Sequence, residues 1–275
     1  MTATASGARP PLNRPADEPA KPPSIAVVMP AYNEADRIEV TLEAVARHGA
    51  ANQRSVPVFL ADDGSTDETT AVAWSTAPRL GLSLEILRLP HRGKASTVRD
   101  GMLTSAGRSD ADYLLMLDAD NEISIDHVDR IKWTGDPSTI YIARRVREAD
   151  GALGATPPPF RRLMSFGMRL AARVLLGLPY PDTQCGFKLF PRHLVVELFS
   201  QQRSPSWVFD AEILVIARAS GIPIREVPVV WQPRGESRVG SVAAVSSALG
   251  LLGIAFRRWT GVYRRVGPPR NRSTS

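Results

Sequence analysis

Apolar residues along this chain gather into short continuous runs, separated by stretches with a helical spacing. Residues 25–29 (Ile-Ala-Val-Val-Met), 56–61 and 84–89 have the length and composition of short strands. The stretch from Tyr113 to Glu122 opens on a further run, Tyr-Leu-Leu-Met-Leu, that reads as a strand buried on both faces. Between the runs, Ile38, Leu42 and Val45 recur at spacings of four and three. A second helix follows Asp62-Asp63-Gly64-Ser65-Thr66-Asp67 with Thr66 as its N-cap, and residues 94–106 form a third. Strand and helix thus alternate four times, which predicts an α/β fold with a mixed, mostly parallel sheet flanked by helices.

Residues 140–143 predict another strand, followed by Arg144 and Arg145. Residues 151–159, with Gly-Ala-Leu-Gly and three consecutive prolines, read as a loop or lid. In the helix predicted over 160–178, Leu163, Gly167, Leu170, Val174 and Leu178 form an apolar stripe, with Arg162, Arg169 and Arg173 on a narrow polar face. That pattern suits a helix lying in a membrane interface, and equally a core helix with solvated arginines. Pro191 is placed as the opening of a short helix. Residues 207–219 have a helical period with Asp210 and Glu212 near the start, and 222–231 read as a late strand.

The stretch after the fourth strand carries the chemistry. Alternation along an extended chain would put Asp118, Asp120 and Glu122 on one side, at the carboxyl end of the strand where open α/β sheets place ligands. Three carboxylates on one side repel each other unless a cation sits between them, and hard oxygen ligands suit Mg²⁺ or Mn²⁺. An Asp-rich turn capping the next helix is the plainer alternative.

Composition narrows the setting. The 275 residues can bury a sizeable core, and the single cysteine, Cys185, excludes an internal disulfide and a cysteine metal cluster. Net charge is +6, but residues 257–275 hold six arginines and no acid, so the rest is formally neutral. A basic tail beside a neutral body suggests attraction to an anionic surface, either lipid headgroups or nucleic acid, or a solvated tail with no partner. Residues 1–24, with six prolines and no aromatic residue, read as a disordered leader with no secretory signal. Residues 241–256 are uncharged but fall short of the roughly 18 apolar residues of a membrane span. They predict a short apolar helix before the arginine-rich tail. No Gly-Xaa-Ser-Xaa-Gly elbow or P-loop is present, and the four histidines form no ligand spacing.

Four motifs then agree in order: Pro30-Ala31-Tyr32-Asn33-Glu34, Asp62-Asp63-Gly64-Ser65-Thr66-Asp67, Asp118-Ala119-Asp120 and Asp182-Thr183-Gln184-Cys185-Gly186-Phe187-Lys188. Together they resemble the family 2 inverting glycosyltransferases of the GT-A fold. With Phe209-Asp210-Ala211-Glu212 they look most like the polyprenyl- or dolichyl-phosphate β-glucosyltransferase branch. The resemblance covers roughly residues 24–240 and implies one GT-A domain over 25–240. It implies a nucleoside-diphosphate sugar, UDP-glucose in this branch, a divalent metal, and inversion at the anomeric carbon.

Carried over by that resemblance, Pro30, Tyr32, Glu34, Asp62, Asp63, Lys94 and Ala119 would form the donor site. Tyr32 would stack on the base and Asp62 or Asp63 accept from base or ribose. Asp118 and Asp120 would hold the metal, with Glu122 a third contact. After the two acids this chain has Asn121-Glu122-Ile123, where the branch has Leu-Ser-Thr. A lipid monophosphate acceptor is already nucleophilic near pH 7 and needs cations more than a base. Arg144, Arg145, Arg161 and Lys188, with Gln184, are the candidates to hold it. An alcohol acceptor would instead require Asp210 or Glu212 as base. With the two interfacial helix candidates and the arginine tail, the resemblance implies transfer to a polyprenyl phosphate at the cytoplasmic face of a membrane, with an anionic membrane surface as partner and no nucleic acid. The rival reading is a soluble GT-A transferase acting on a natural-product or glycan hydroxyl.

Overall fold

A computed structural model describes residues 22–146, 167, 170–232 and 241–267 of the chain. The strands are β1 (Ile25–Ala31), β2 (Val58–Asp62), β3 (Leu84–Arg88), β4 (Tyr113–Leu117), β5 (Ile140–Val146), β6 (Phe187–Pro191) and β7 (Ile224–Val230). The helices are α1 (Ala35–Ala51), α2 (Thr69–Arg79), α3 (Lys94–Arg108), α4 (170–176), α5 (Arg192–Phe199), α6 (Phe209–Ala219) and α7 (Ser241–Trp259), with a 3₁₀ helix over Ile125–Arg130. The sheet order is β3-β2-β1-β4-β6-β5-β7. Only β6 runs antiparallel to its neighbours β4 and β5, so the sheet is mixed and mostly parallel, as the alternation predicts.

Alternate side chains of the central strands feed two cores. Ala26, Val28, Leu114, Met116, Ile140 and Ile142 pack towards α3, α5, α6 and α7. Val27, Met29, Tyr113, Leu115, Leu117 and Tyr141 pack with α1 and the 3₁₀ helix on the other face. A strand covered on both sides has no polar face to show, so its sequence is a continuous apolar run. Helix α3 lies so close to β1 and β2 that a Cβ at Gly101 would stand 2.9 Å from the Ala61 Cβ.

Several expected boundaries move. Strand β4 ends at Leu117, and the chain then turns through 119–120 with Asn121 at φ 51°. Asp118, Asp120 and Glu122 are therefore not alternate positions of an extended chain; a turn gathers them. Thr66 is not a helix N-cap, because α2 starts at Thr69 and the Thr66 amide donates to Asn33 Oδ1 at 2.9 Å. Pro191 closes β6 and immediately precedes α5 instead of opening the helix. Strand β5 continues through both arginines to Val146. The loop expected over 151–159 and residues 160–166, 168 and 169 of the expected helix lie outside the described residues, as do 1–21 and 235–239.

Candidate active site

The loops after β1 and β2 are tied to each other. The Asn33 amide donates to Ser65 Oγ (3.0 Å), the Glu34 amide to Thr69 Oγ1 (2.8 Å) and the Ala35 amide to Asp67 Oδ2 (3.2 Å). The first two motifs therefore form one rigid rim. On it Tyr32 is partly exposed and stacks on His91, ring centroids 4.3 Å apart. Asp63 is buried and accepts from the amides of Arg92 (2.9 Å) and Gly93 (3.0 Å), which fixes the turn leading into α3. Asp62 is buried as well and accepts from the Ser65 amide. Both carboxylates, of which one or the other was expected to accept from base or ribose, organise protein loops in this structure. Pro30 is buried inside β1, and Glu34 lies 3.6 Å from the Arg37 guanidinium.

The turn after β4 sits beside this rim. Buried Ala119 contributes its carbonyl, which accepts from Thr41 Oγ1 at 2.6 Å and so ties the turn to α1. Asp118, Asp120 and Glu122 line one pocket with Arg145, Gln184, Gly186 and Trp231. Burial and the neighbouring Asp118 charge push the Asp120 carboxyl up to about 6. Lys94, the first residue of α3, reaches Asp118 Oδ1 at 2.6 Å and stands over the Trp207 ring. Burial alone would lower the Lys94 pKa, but Asp118, Asp210 and Asp120 hold it above the ordinary value. Glu122 Oε2 accepts from Trp231 Nε1 at 2.7 Å. Among the described residues no three His, Cys, Asp or Glu side chains form a metal-ligand set. All three expected carboxylates line the pocket, with Glu122 bonded to Trp231 just after β7.

Of the residues expected to hold an acceptor phosphate, Arg145 forms a two-pronged bond to Asp182 (Nε–Oδ2 2.7 Å, Nη2–Oδ1 2.9 Å) and stands over the Trp231 ring. Burial would raise Asp182, but this guanidinium holds it below the usual carboxylate range. Arg144, the next residue back, is exposed on the opposite face of β5. Gln184 donates to the Trp207 carbonyl at 3.3 Å, and Arg161 lies outside the described residues. Lys188, expected as a phosphate contact, is almost fully buried. Its ammonium binds the Cys185 carbonyl at 2.6 Å and Asp210 Oδ1 at 2.7 Å. That pair pins α6 to β6 and leaves Lys188 no access to a ligand.

The two candidate bases are also committed. Asp210 is paired with Lys188, while burial holds its pKa above the ordinary carboxylate value. Glu212 has no exposed surface. It accepts from the amides of Arg203 (2.8 Å) and Ser204 (2.7 Å) and from the Tyr263 hydroxyl (2.6 Å), with Arg257 at 3.3 Å. Glu212 therefore anchors the C-terminal segment, with its oxygens already engaged by these donors. Burial pushes the Cys185 thiol up to about 12, so it stays neutral and unreactive.

Residues 26–199 match the family model described as Glycosyl transferase family 2. The chain belongs to that family. It is a glycosyltransferase, with the GT-A architecture described above. A dolichyl-phosphate beta-glucosyltransferase of Trichomonas vaginalis is 31% identical over 87% of this chain and 71% of its own. The human dolichyl-phosphate beta-glucosyltransferase is 30% identical over 90% and 79%. Among solved structures, glucosyl-3-phosphoglycerate synthase from Mycobacterium tuberculosis with phosphoglyceric acid superposes with a TM-score of 0.62, at 18% identity over 89% and 86% of the two chains. The same enzyme with Mn²⁺, uridine diphosphate and glucosyl-3-phosphoglycerate gives 0.60, at 17% identity over 90% and 87%.

Sequence reasoning missed several residues of this glycosyltransferase's site. His91, assigned nothing, stacks on Tyr32, and Trp207 and Trp231 flank the acids. Gly186 carries the sharpest constraint. The Asp118 amide donates to its carbonyl at 3.1 Å, and a Cβ there would sit 1.9 Å from Asp118 Oδ2. The missing side chain is what lets the Asp118 carboxylate lie against β6. Gly186→Ala is expected to cost about a hundredfold in turnover through a misplaced carboxylate, with secondary structure retained. Steady-state kinetics beside circular dichroism check this, and wild-type turnover would refute it.

Proposed function

We propose that the transferase moves glucose, with inversion, from UDP-glucose to a polyprenyl or dolichyl phosphate at the cytoplasmic face of a membrane. The observation that carries the acceptor half is the commitment of both candidate bases: Asp210 to Lys188 and Glu212 to four donors. An alcohol acceptor must lose a proton in the reaction, whereas a phosphate monoester arrives ionised. A site without an available base at these positions favours the second. The relatives' names, dolichyl-phosphate beta-glucosyltransferase, support the same acceptor.

Tyr32, stacked on His91 at the rim, offers an aromatic face to the base. Asp118 and Asp120 are placed to hold Mg²⁺ or Mn²⁺, which commonly takes one or two carboxylates and completes its shell with phosphates and water. The fit rests on two carboxylates in one pocket, one of them pushed up by burial and by its neighbour's charge. When bound, the ion supplies positive charge to the departing nucleoside diphosphate. Lys94 adds a fixed ammonium on the same side, held by Asp118 and the Trp207 ring. Among the described residues, the exposed Arg144, Arg145 and Gln184 are the groups proposed to hold the acceptor phosphate, with Arg145 oriented by its bond to Asp182.

A donor screen with a short-chain polyprenyl phosphate and Mg²⁺ or Mn²⁺ tests the reading. UDP-glucose should be the donor turned over and the product a glucosyl phospholipid with inverted anomeric configuration. Turnover only on a water-soluble hydroxyl acceptor would replace it with the rival reading.

A further inference from the structure

Helix α7 is apolar on two opposite faces. Leu251 and Ile254 pack into the core, and a Cβ at Gly250 would overlap Ser206 and Val208, so that face is closed by close packing. Leu249, Leu252, Phe256 and Trp259, spaced by three, four and three, lie together on the other side. All four are exposed, Phe256 at 62% and Trp259 at 85%. Next to α7 runs the end of α4, whose following Gly177 lies against the Arg258 guanidinium. Leu170, Val174 and Leu175 of α4 are exposed too, Val174 at 70%. Exposed apolar side chains gathered on one helix face mark an interaction surface.

We propose that this face of α7, with the exposed side of α4 beside it, docks the transferase on an anionic lipid bilayer. The proposal rests on the lipid-borne acceptor argued above and names the surface that meets the membrane. Charge argues for lipid over a second protein. No acid follows Glu236 in the sequence, and between Leu170 and Pro181 the only charged residue is Arg173. Arg173 on α4 and Arg264 and Arg265 after α7 are exposed, so these segments bring positive charge that matches anionic headgroups. No described helix is long and apolar enough to cross a membrane. A helix with one core face, one exposed apolar face and arginines in its last turn suits the interface plane. Position argues the same way: the chain runs from α4 through Asp182, the Arg145 partner, to Gln184 and Gly186 in the pocket. Docking there would hold a lipid phosphate a few residues from the acids.

The test is co-flotation of the full chain with vesicles of phosphatidylcholine, with and without phosphatidylglycerol. Wild type should float with the anionic vesicles, less with the neutral ones, and less again as salt rises. The double variant Phe256→Ser/Trp259→Ser should lower partitioning about tenfold or more, as expected for two large apolar side chains lost from the interface. Its circular dichroism and turnover on a water-soluble short-chain acceptor should be unchanged. If that variant is misfolded, Val174→Ser on α4 must lower partitioning several-fold by itself. Wild type that stays in the aqueous phase, or variants that float as wild type does, would overturn the proposal. So would a wild-type dimer that the double variant dissociates, because a second copy would then cover the face. Flotation needs neither donor nor acceptor, so a failed glucosyl assay and a failed docking surface are told apart.

Discussion

Replacing Asp118 or Asp120 by asparagine is expected to lower turnover about a thousandfold, which is ~4 kcal/mol of transition-state stabilisation at about 1.4 kcal/mol per factor of ten. Both side chains line the pocket after β4, and each supplies a charged oxygen for which the amide is a poor substitute. The fold should survive. Asp120 is destabilised by burial and by the Asp118 charge, so Asp120→Asn removes a repulsion and should leave the thermal midpoint equal or slightly higher. Asp118→Asn loses a partly exposed ion pair with Lys94, which contributes little to stability. Calorimetric titration with Mn²⁺ in the absence of donor gives a second readout, with weaker binding expected in both variants. Near-normal turnover in both, or activity undiminished by excess chelator, would remove the assignment of the ion to these two carboxylates.

The parts of this fold that could be read in advance are those whose determinants lie within a few residues of each other. β1, β2 and β4 are short apolar runs because helices cover both faces, and the α1 and α3 stripes repeat at helical spacing. β6 was hidden because Lys188 interrupts its run and Pro191 resembles a helix start. The strand exists because its two neighbours pair with it, Leu115 opposite Leu189 on one side and Tyr141 opposite Leu189 on the other. The acids after β4 were legible as types and spacing, but their grouping was expected from strand alternation and is produced by a turn with Asn121 at positive φ. Charges were the hardest to place. Arg145 looked like a free phosphate clamp, yet its partner Asp182 lies 37 residues away and comes beside it only when β5 and β6 pair. Glu212 looked like a base at a helix start. It is bonded to Arg257 and Tyr263, which the last turn of α7 and the segment after it bring from far along the chain. Local pattern shows which residues carry chemistry, and long-range pairing decides which of them stay available for it.

Lys188→Met is the substitution expected to damage the fold most. Lys188 and Asp210 are both buried, 2.7 Å apart, and the ammonium also satisfies the Cys185 carbonyl. Methionine keeps the volume but removes the cation, leaving the Asp210 carboxylate in a low-dielectric interior that already holds its pKa up. An orphaned buried charge costs about 3–5 kcal/mol, a large share of the stability of a domain this size. The direction with pH follows from the same point. Without Lys188 the folded Asp210 pKa rises further above its unfolded value, so folding favours its protonated form. The variant should therefore recover stability as pH falls through the folded pKa of Asp210, and lose it as pH rises. Urea unfolding across that range measures this. A double variant, Lys188→Met/Asp210→Leu, removes both charges and should regain most of the loss, because an ion pair replaced whole by apolar groups is often neutral to stability. If the single variant unfolds at the wild-type urea concentration, the pair does not hold α6 to β6, and Lys188 returns as a candidate for the acceptor phosphate.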